Sequence, residues 1–139
     1  MKLNRPHGGI LINRQITGTD RERLIKSCRT MPRLHLNARE ASDVELIANG
    51  AYSPLEGFLG AADYRSVLTN MRLANGVAWP LPVTLSVTDE EASTLNEGED
   101  VALYEHARLI GVLHLSEKYG YDKQREAELV YRTVDTAHP

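Results

Sequence analysis

Residues 42–59 read SDVELIANGAYSPLEGFL and contain a helix start, a helix stop and an apolar loop. Ser42 and Glu45 have the capping-box spacing, in which each side chain bonds to the other residue's backbone N–H. The apolar residues within Val44–Ile47 predict a helix of about two turns, which Asn49-Gly50 ends because glycine readily adopts the left-handed conformation. We therefore expect a short helix that leads directly into the loop.

The loop from Tyr52 to Gly60 carries several large apolar side chains, which is unusual for an irregular connection. Leaving such side chains in water costs solvation free energy, so we expect them to be covered. Two interpretations stay open: the loop fills the core of its own domain, or it docks against a partner. The residues that would form this docking surface are Tyr52, Ser53, Pro54, Leu55, Phe58 and Leu59.

On the amino-terminal side of this stretch, the sequence predicts a turn, a short strand and a short helix. Pro6-His7-Gly8-Gly9 is the turn, and it leads into the apolar run Ile10–Ile12, which we interpret as the strand. Thr19–Cys28 is a mostly polar segment and predicts a short helix. Pro32 then interrupts any regular element, because proline has no backbone N–H to donate.

On the carboxyl-terminal side, the hydrophobic pattern changes from a helical period to a strand period. Apolar side chains at the i, i+3, i+4 and i+7 spacing predict a helix that contains Tyr64, Val67, Leu68 and Met71. Val77–Val87 predicts a strand, and this strand should begin at a sheet edge because Pro80 and Pro82 cannot donate to a ladder.

The rest of the chain predicts further short elements. They are a single helical turn capped by Thr88-Asp89-Glu90-Glu91, a hairpin of Val101–Tyr104 with Arg108–Leu115, and a helix over Tyr121–Tyr131 with Lys123, Glu126 and Glu128 facing outward. Helices come first, a β region follows, and a helix closes the chain. This order predicts an α+β fold built on a small β-barrel or curved mixed sheet and decorated with short helices.

Composition indicates an ordinary globular chain. Its 139 residues suffice for one domain, residues 1–139, with a core of its own. No run reaches the roughly 20 apolar residues that span a membrane. The first residues lack the apolar segment of a secretory signal, and the single cysteine cannot form an internal disulfide. We therefore expect a cytoplasmic location and no membrane partner.

The net charge of −3 is unevenly distributed along the chain. Residues 1–72 contain 11 Lys and Arg against 7 Asp and Glu, whereas residues 73–139 contain 5 against 12. The basic residues are scattered and are not interleaved with aromatic ones. Nucleic acid is therefore not the expected partner.

No catalytic or metal-binding motif is visible in the sequence. No two of the five histidines stand three or four residues apart, the spacing that presents a pair to a metal on a helix. Phosphate-binding loops of the G-x-x-x-x-G-K-[ST] and G-x-G-x-x-G kinds are absent. The weak candidates for an anion site are Arg5, His7 and Arg14 around the glycine turn. These residue patterns predict no cofactor and no metal.

Several segments resemble the ATP sulfurylases (sulfate adenylyltransferases). Residues 42–59 are similar to the family's signature region around NGAYSPLEGF. The other similar segments, in chain order, are Pro6–Gly9 with Leu11–Arg14, Met71–Gly76 with Trp79–Leu85, Val101–Tyr104, and Tyr121–Tyr131 with Thr136–Pro139. The resemblance covers nearly the whole chain, with one departure at Arg132, where the family commonly has a small residue.

The resemblance implies a PUA-like amino-terminal domain that carries no catalytic residue. In this family it precedes a catalytic domain that converts ATP and sulfate into adenosine 5′-phosphosulfate and pyrophosphate through a Q-x-R-N segment and an H-x-x-H-type segment. Neither segment occurs here, so the resemblance predicts that the chain alone is inactive. The expected partner is that catalytic domain, in cis or as a subunit, and a homo-oligomer is a further option.

Two alternatives from other functional classes stay open. PUA folds elsewhere bind RNA, which would make the chain a free-standing RNA-binding module. A small enzyme acting on a nucleotide would instead use Arg5, His7 and Arg14 around an anion. The sequence does not distinguish an assimilatory role from the reverse reaction, a truncated gene from a split enzyme, or one oligomeric state from another.

Overall fold

The computed structural model describes residues 3–137, which form five α-helices and three strands. The elements are α1 (Gly18–Ser27), β1 (Arg33–His35), α2 (Ala38–Ala48), α3 (Ala61–Asn70), α4 (Asp89–Thr94), β2 (Asp100–Glu105), β3 (Arg108–His114) and α5 (Lys123–Tyr131). A 3₁₀ turn at His7–Gly9 precedes α1. His138 and Pro139, which end the last segment that resembles the sulfurylases, lie outside the described residues.

The chain divides into two compact units. The first consists of Met1–Phe58 with Leu85–Ser116, and the second of Leu59–Thr84 with Glu117–Pro139. Each unit is therefore built from two separate stretches of the sequence.

The sheet of the first unit has the strand order β1-β2-β3 and is mixed. β1 runs parallel to β2, with Leu34 opposite Leu103, and β2 runs antiparallel to β3, with Val101 opposite Leu113. The turn between β2 and β3 contains His106 at a φ of 53°. The predicted hairpin and the predicted α+β class with a mixed sheet are confirmed.

The core of the first unit packs against one face of this sheet. Because alternate residues of a strand point to the same side, Val101 and Leu103 share a face, and Leu34 joins them from β1. The buried cluster consists of Leu34, Leu36, Ala41, Leu95, Val101, Leu103 and Leu115. Full burial of a leucine or valine side chain contributes roughly 1.5–3 kcal/mol.

Helix α2 begins one turn earlier than the sequence predicts. Its N-cap is Asn37, whose side chain accepts from Glu40 N–H at 3.0 Å while the Glu40 carboxylate accepts from Asn37 N–H at 3.0 Å. The predicted cap, Ser42, lies inside the helix on its exposed side. Asn37-x-x-Glu40 has the same capping-box spacing and comes first, so the helix-forming residues after it extend α2 to 11 residues. The predicted stop at Asn49-Gly50 is confirmed.

Two predicted strands are absent from the described part of the chain. Ile10 has an extended backbone, but residues 10–12 pair with no strand. In Val77–Val87 the pairing is a single isolated bridge between Arg72 and Ala78, and Leu59 N–H donates to Val83 O at 2.9 Å. Pro80 and Pro82 remove two of the donors that a ladder would need.

The second unit is organised around α3 and α5. Both helices were predicted, and α3 buries Ala61, Tyr64 and Val67. Asp122 caps α5 by accepting from the N–H groups of Gln124 and Arg125. The prediction that Glu126 faces outward is wrong, because its carboxylate is half-buried and accepts a hydrogen bond from Tyr64. Within residues 3–137, no helix combines the length and apolarity needed to cross a membrane.

Candidate functional site

The backbone of the predicted docking loop is held in place by hydrogen bonds. It leaves α2 through Gly50, whose φ is +86°. Tyr52 N–H then donates to Leu46 O at 3.1 Å, Ser53 N–H to Gly50 O at 3.0 Å, and Leu55 N–H to Tyr52 O at 2.8 Å. Successive bonds of this kind fix the backbone, so the loop presents a defined surface.

The six candidate docking residues fall into two groups. Ser53, Leu55 and Leu59 are buried, and Tyr52, Pro54 and Phe58 are half-buried. A buried side chain has no surface left to offer a partner. Only the half-buried group can therefore contribute contact area to docking.

Tyr52 joins this loop to the preceding helix. Its hydroxyl donates to Asp43 Oδ1 at 3.3 Å. Burial is the main factor that raises the pKa of Tyr52, and the neighbouring Asp43 carboxylate adds to it. Tyr52 therefore keeps its proton at neutral pH and stabilises the loop as a hydrogen-bond donor.

An amino-terminal strap, residues 6–14, lies directly on this loop. Ile12 N–H donates to Ser53 Oγ at 2.9 Å, and Ser53 Oγ in turn donates to Gly50 O at 2.6 Å. Arg14 N–H donates to Ala48 O at 2.9 Å. The buried Ser53 is therefore a structural link between the strap and the loop.

Two glycines allow the strap to approach the loop closely. A Cβ on Gly8 would lie 2.7 Å from Pro54 Cγ, and a Cβ on Gly50 would collide with Ile12 O. Both residues also have a positive φ, which side chains other than glycine rarely adopt. Any larger residue at either position would move the strap away from the loop.

The strap presents apolar side chains to solvent. Ile10 and Leu11 are each 65% exposed although their backbone is held in place. Sequence reasoning assigned Ile10–Ile12 to a strand and missed this surface. The one signal that could have found it is the apolar run between a glycine turn and the polar pair Asn13-Arg14, which does not distinguish a strand from a docking strap.

Of the three weak anion-site candidates, His7 lies at a cleft beside the strap and Arg14 pairs with a carboxylate. A cleft of about 310 Å³ beside the strap is lined by Asn4, Pro6, His7, Leu11, Gly50, Ala51 and Ser53. Of the candidates only His7 lines it. Arg14 instead pairs with Glu56 at 2.7 Å, so an anion at Arg14 would compete with a carboxylate already in place. Nor does any group of three or more His, Cys, Asp or Glu side chains in residues 3–137 have the arrangement of a metal site.

Comparisons by sequence identify relatives of this chain. A family model described as PUA-like domain matches residues 4–139. Proteins named sulfate adenylyltransferase are 53% identical over 97% of this chain in Halothermothrix orenii and 50% identical over 96% in Symbiobacterium thermophilum. The chain spans only 36% and 34% of those two proteins, in their amino-terminal part.

A solved structure gives the same relationship. The protein described as a hexameric APS kinase from Thiobacillus denitrificans superimposes with a TM-score of 0.75 at 32% identity. The match covers 86% of this chain and 24% of that one. Here too the chain corresponds to one part of a longer protein.

Proposed function

The chain belongs to the family of PUA-like domains, and from this premise we propose that it serves as the amino-terminal accessory domain of a sulfate adenylyltransferase. The observation that carries the proposal is the identity of 50–53% over nearly the whole chain to the amino-terminal third of proteins with that name. Because those proteins are about three times as long, the activity belongs to a polypeptide larger than the part matched here. The RNA-binding alternative has no comparable support.

We assign this domain the role of docking against the catalytic part and fixing the position of its active-site cleft. The docking surface combines the exposed apolar side chains of the strap, Ile10 and Leu11, with the half-buried Phe58 of the loop. Rigid attachment of the strap favours binding, because little conformational entropy remains to be lost on association. Exposed apolar side chains on a fixed backbone are typical of such surfaces.

The reaction assigned to the whole enzyme joins ATP and sulfate into adenosine 5′-phosphosulfate with release of pyrophosphate. Stabilising several anionic oxygens needs concentrated positive charge and fixed donors. This chain has a net charge of −3, and the guanidinium of Arg14 already forms an ion pair with Glu56. We therefore assign the chemistry to the partner, and the isolated chain is expected to be inactive.

Further parts of the proposal concern the cellular role, the location and the assembly of the enzyme. We assign the enzyme to the cytoplasm, since its single, buried cysteine cannot form an internal disulfide. Sulfate assimilation is the role that we propose for it, on the names of its relatives alone. The hexameric state named for the similar APS kinase supports a homo-oligomer as the working assembly.

The test is a chimaera in which this chain replaces the matching amino-terminal 36% of the Halothermothrix orenii protein. We expect the chimaera to form adenylylsulfate from ATP and sulfate, and the isolated chain and the truncated remainder to form none. Turnover by the isolated chain would place the chemistry within these residues and contradict the proposal. A folded but inactive chimaera would also count against it.

Docking is tested by Phe58→Ser in the same chimaera. The expected result is a loss of activity of tenfold or more, with little change in the thermal unfolding of the isolated chain. The matched control is Ile25→Ser on the exposed side of α1, which should leave activity unchanged. If Phe58→Ser unfolds the isolated chain, Phe58 belongs to the core, and Ile10→Ser with Leu11→Ser then tests the strap alone.

A further inference from the structure

The first compact unit carries two segments of opposite charge. Residues 21–39 contain six Lys and Arg against one Glu, whereas residues 89–100 contain six Asp and Glu and no Lys or Arg. Both segments belong to this unit. Its surface is therefore strongly polarised, although the net charge of the chain is only −3.

The basic segment contains an arginine that lies over an aromatic ring. Arg33 and His35 share the exposed face of β1, because alternate residues of a strand point to the same side and Leu34 between them is buried. The guanidinium carbon of Arg33 lies 5.3 Å from the centroid of the Tyr104 ring, a cation–π contact, and the His35 ring centroid lies 6.0 Å from it. Tyrosine and arginine are enriched among the residues that contribute most to protein–protein binding. We refer to Arg33, His35 and Tyr104 as the basic surface.

Many of the charges in the two segments are not neutralised within residues 3–137. Arg14 and Arg108 each form an ion pair with a carboxylate. The exposed residues of the two segments that form none are Arg21, Lys26, Arg29, Arg33 and Arg39 in the first and Asp89 and Glu90 in the second. We refer to Asp89 and Glu90 as the acidic surface. Both surfaces can therefore pair with charges of a partner.

The two surfaces lie side by side. The carboxylate of Glu91, in the first turn of α4, accepts a hydrogen bond from Thr88 N–H at 2.9 Å. The pKa of Glu91 is lowered, mainly by its hydrogen bonds with Thr88 and in addition by His35, which places the start of α4 near the basic surface. Neighbouring surfaces of opposite charge are self-complementary, because a twofold rotation places each against its opposite on a second copy.

We propose that two copies of this chain associate about a twofold axis, with the basic surface of each copy against the acidic surface of the other. The inference rests on the homo-oligomer of the proposed function, and it names the surfaces that form one of its contacts. Opposite charges across an interface accelerate association and select the partner. A single exposed ion pair contributes little, so the contact depends on the twofold axis, which repeats every pair.

Self-association of the purified chain tests the inference. Sedimentation equilibrium is compared at about 0.1 M and about 1 M NaCl, between which the screening length falls from about 10 Å to about 3 Å. We expect a dimer at low salt and a dissociation constant at least tenfold higher at high salt. Arg33→Glu and Glu90→Arg should each weaken the dimer at least tenfold at low salt, because each places like charges opposite each other. The matched control is Arg65→Glu, which makes the same change of charge at an exposed arginine of the second unit and should have little effect.

An equimolar mixture of the Arg33→Glu and Glu90→Arg variants gives the sharpest result. In a mixed dimer each reversed charge faces a reversed charge of opposite sign, and each unchanged charge faces its usual partner. We expect the mixture to recover a dissociation constant within a few-fold of that of the unsubstituted chain. A contact that does not join these two positions would show no such recovery.

Four results would overturn the inference. They are a chain that stays monomeric at low salt, a dimer that responds neither to salt nor to the two reversals, a mixture that does not recover, and a monomeric chain in which Arg33→Glu lowers only the activity of the chimaera. In the last case the basic surface would bind the catalytic part instead of a second copy. Thermal unfolding checks that each variant is folded, and if one is not, the salt dependence of the unsubstituted chain still decides.

Separate measurements report this inference and the proposed function. Adenylylsulfate formation by the chimaera reports the function, and sedimentation of the chain reports the twofold contact. An active chimaera made from a chain that stays monomeric would remove only the contact. An inactive chimaera made from a chain that forms the salt-sensitive dimer would count against the function alone.

Discussion

The hydroxyl of Tyr64 on α3 donates a hydrogen bond of 2.5 Å to Glu126 Oε2 on α5. Tyr119 packs beside Tyr64 with the ring centroids 5.4 Å apart and donates to Leu59 O at 2.6 Å. Burial and the Glu126 carboxylate raise the pKa of Tyr64 far above its usual value. The bond from Tyr64 to Glu126 therefore links α3 to α5, and Tyr119 packs against Tyr64 beside it. We refer to Tyr64, Tyr119 and Glu126 as the clasp.

Removing the hydroxyl should loosen this clasp. Tyr64→Phe deletes a hydrogen bond to a charged group, and since the half-buried Glu126 regains water we expect a loss of about 1–2 kcal/mol in the free energy of unfolding. Urea denaturation measures this loss. Tyr121→Phe, at an exposed tyrosine of the same unit, is the matched control and should change the unfolding free energy little. Equal effects of the two substitutions would show that the bond contributes nothing.

The clasp should also make stability fall in alkali. The pKa of Tyr64 is raised, and burial raises that of Tyr119 to about 12, so the folded chain keeps protons that an unfolded chain releases at about pH 10. This stabilisation is fully present below pH 10 and is lost as the pH rises toward the folded-state values. Urea denaturation is measured between about pH 8 and pH 11.5, at about one point per half pH unit. The midpoint urea concentration should decline from about pH 10 upward. The double variant Tyr64→Phe/Tyr119→Phe should decline less, and a parallel decline would contradict the assignment.

The cap of α2 gives a third prediction. Asn37→Ala removes an N-cap and should cost about 1 kcal/mol in the free energy of unfolding. Ser42→Ala, at the position that the sequence pattern favoured, replaces an exposed mid-helix residue by a better helix former and should be neutral or slightly stabilising. Thermal unfolding of both variants decides whether Asn37 or Ser42 is the N-cap of α2. A larger loss of stability for Ser42→Ala than for Asn37→Ala would favour Ser42, the cap predicted from the sequence.

The sequence allowed most helices to be predicted because their signals are local. The apolar spacing through Tyr64 and Val67 and the cap at Thr88 depend only on neighbouring residues, and both elements are present. β1 was missed because a three-residue strand is too short to show an alternating pattern. Its pairing with β2 is a long-range contact that no neighbouring residue signals.

The candidate site was predicted only in part for the same reason. The apolar loop was visible as a run of letters, but which side chains point inward depends on packing, and Leu55 is buried while Phe58 is half-buried. The strap was not predicted, since nothing near Gly8 in the sequence indicates that it lies against Pro54. The proposed partner likewise rests on resemblance and comparison, not on residue chemistry.

The end of α5 should respond to glycine. Arg132 has a φ of 61°, in the left-handed region that glycine adopts without strain. Because the position is exposed, Arg132→Gly should stabilise the chain by up to about 1 kcal/mol. Lys123→Gly at the first residue of α5 is the control and should destabilise by a similar amount. Thermal unfolding checks both, and a destabilised Arg132→Gly variant would show that the arginine side chain stabilises the helix end by some other contact.

The fit of the strap on the loop gives the last prediction, from two adjacent glycines. Gly8 and Gly9 have φ values of +71° and +87°, so alanine is strained at both positions by about 1–2 kcal/mol. Only at Gly8 would the new methyl group also collide with Pro54, whereas the space beside Gly9 is open. Gly8→Ala should therefore speed hydrogen exchange at the Ile12 and Arg14 amides at least tenfold more than Gly9→Ala does. Equal acceleration would mean that backbone strain alone matters and that the strap does not depend on its contact with Pro54.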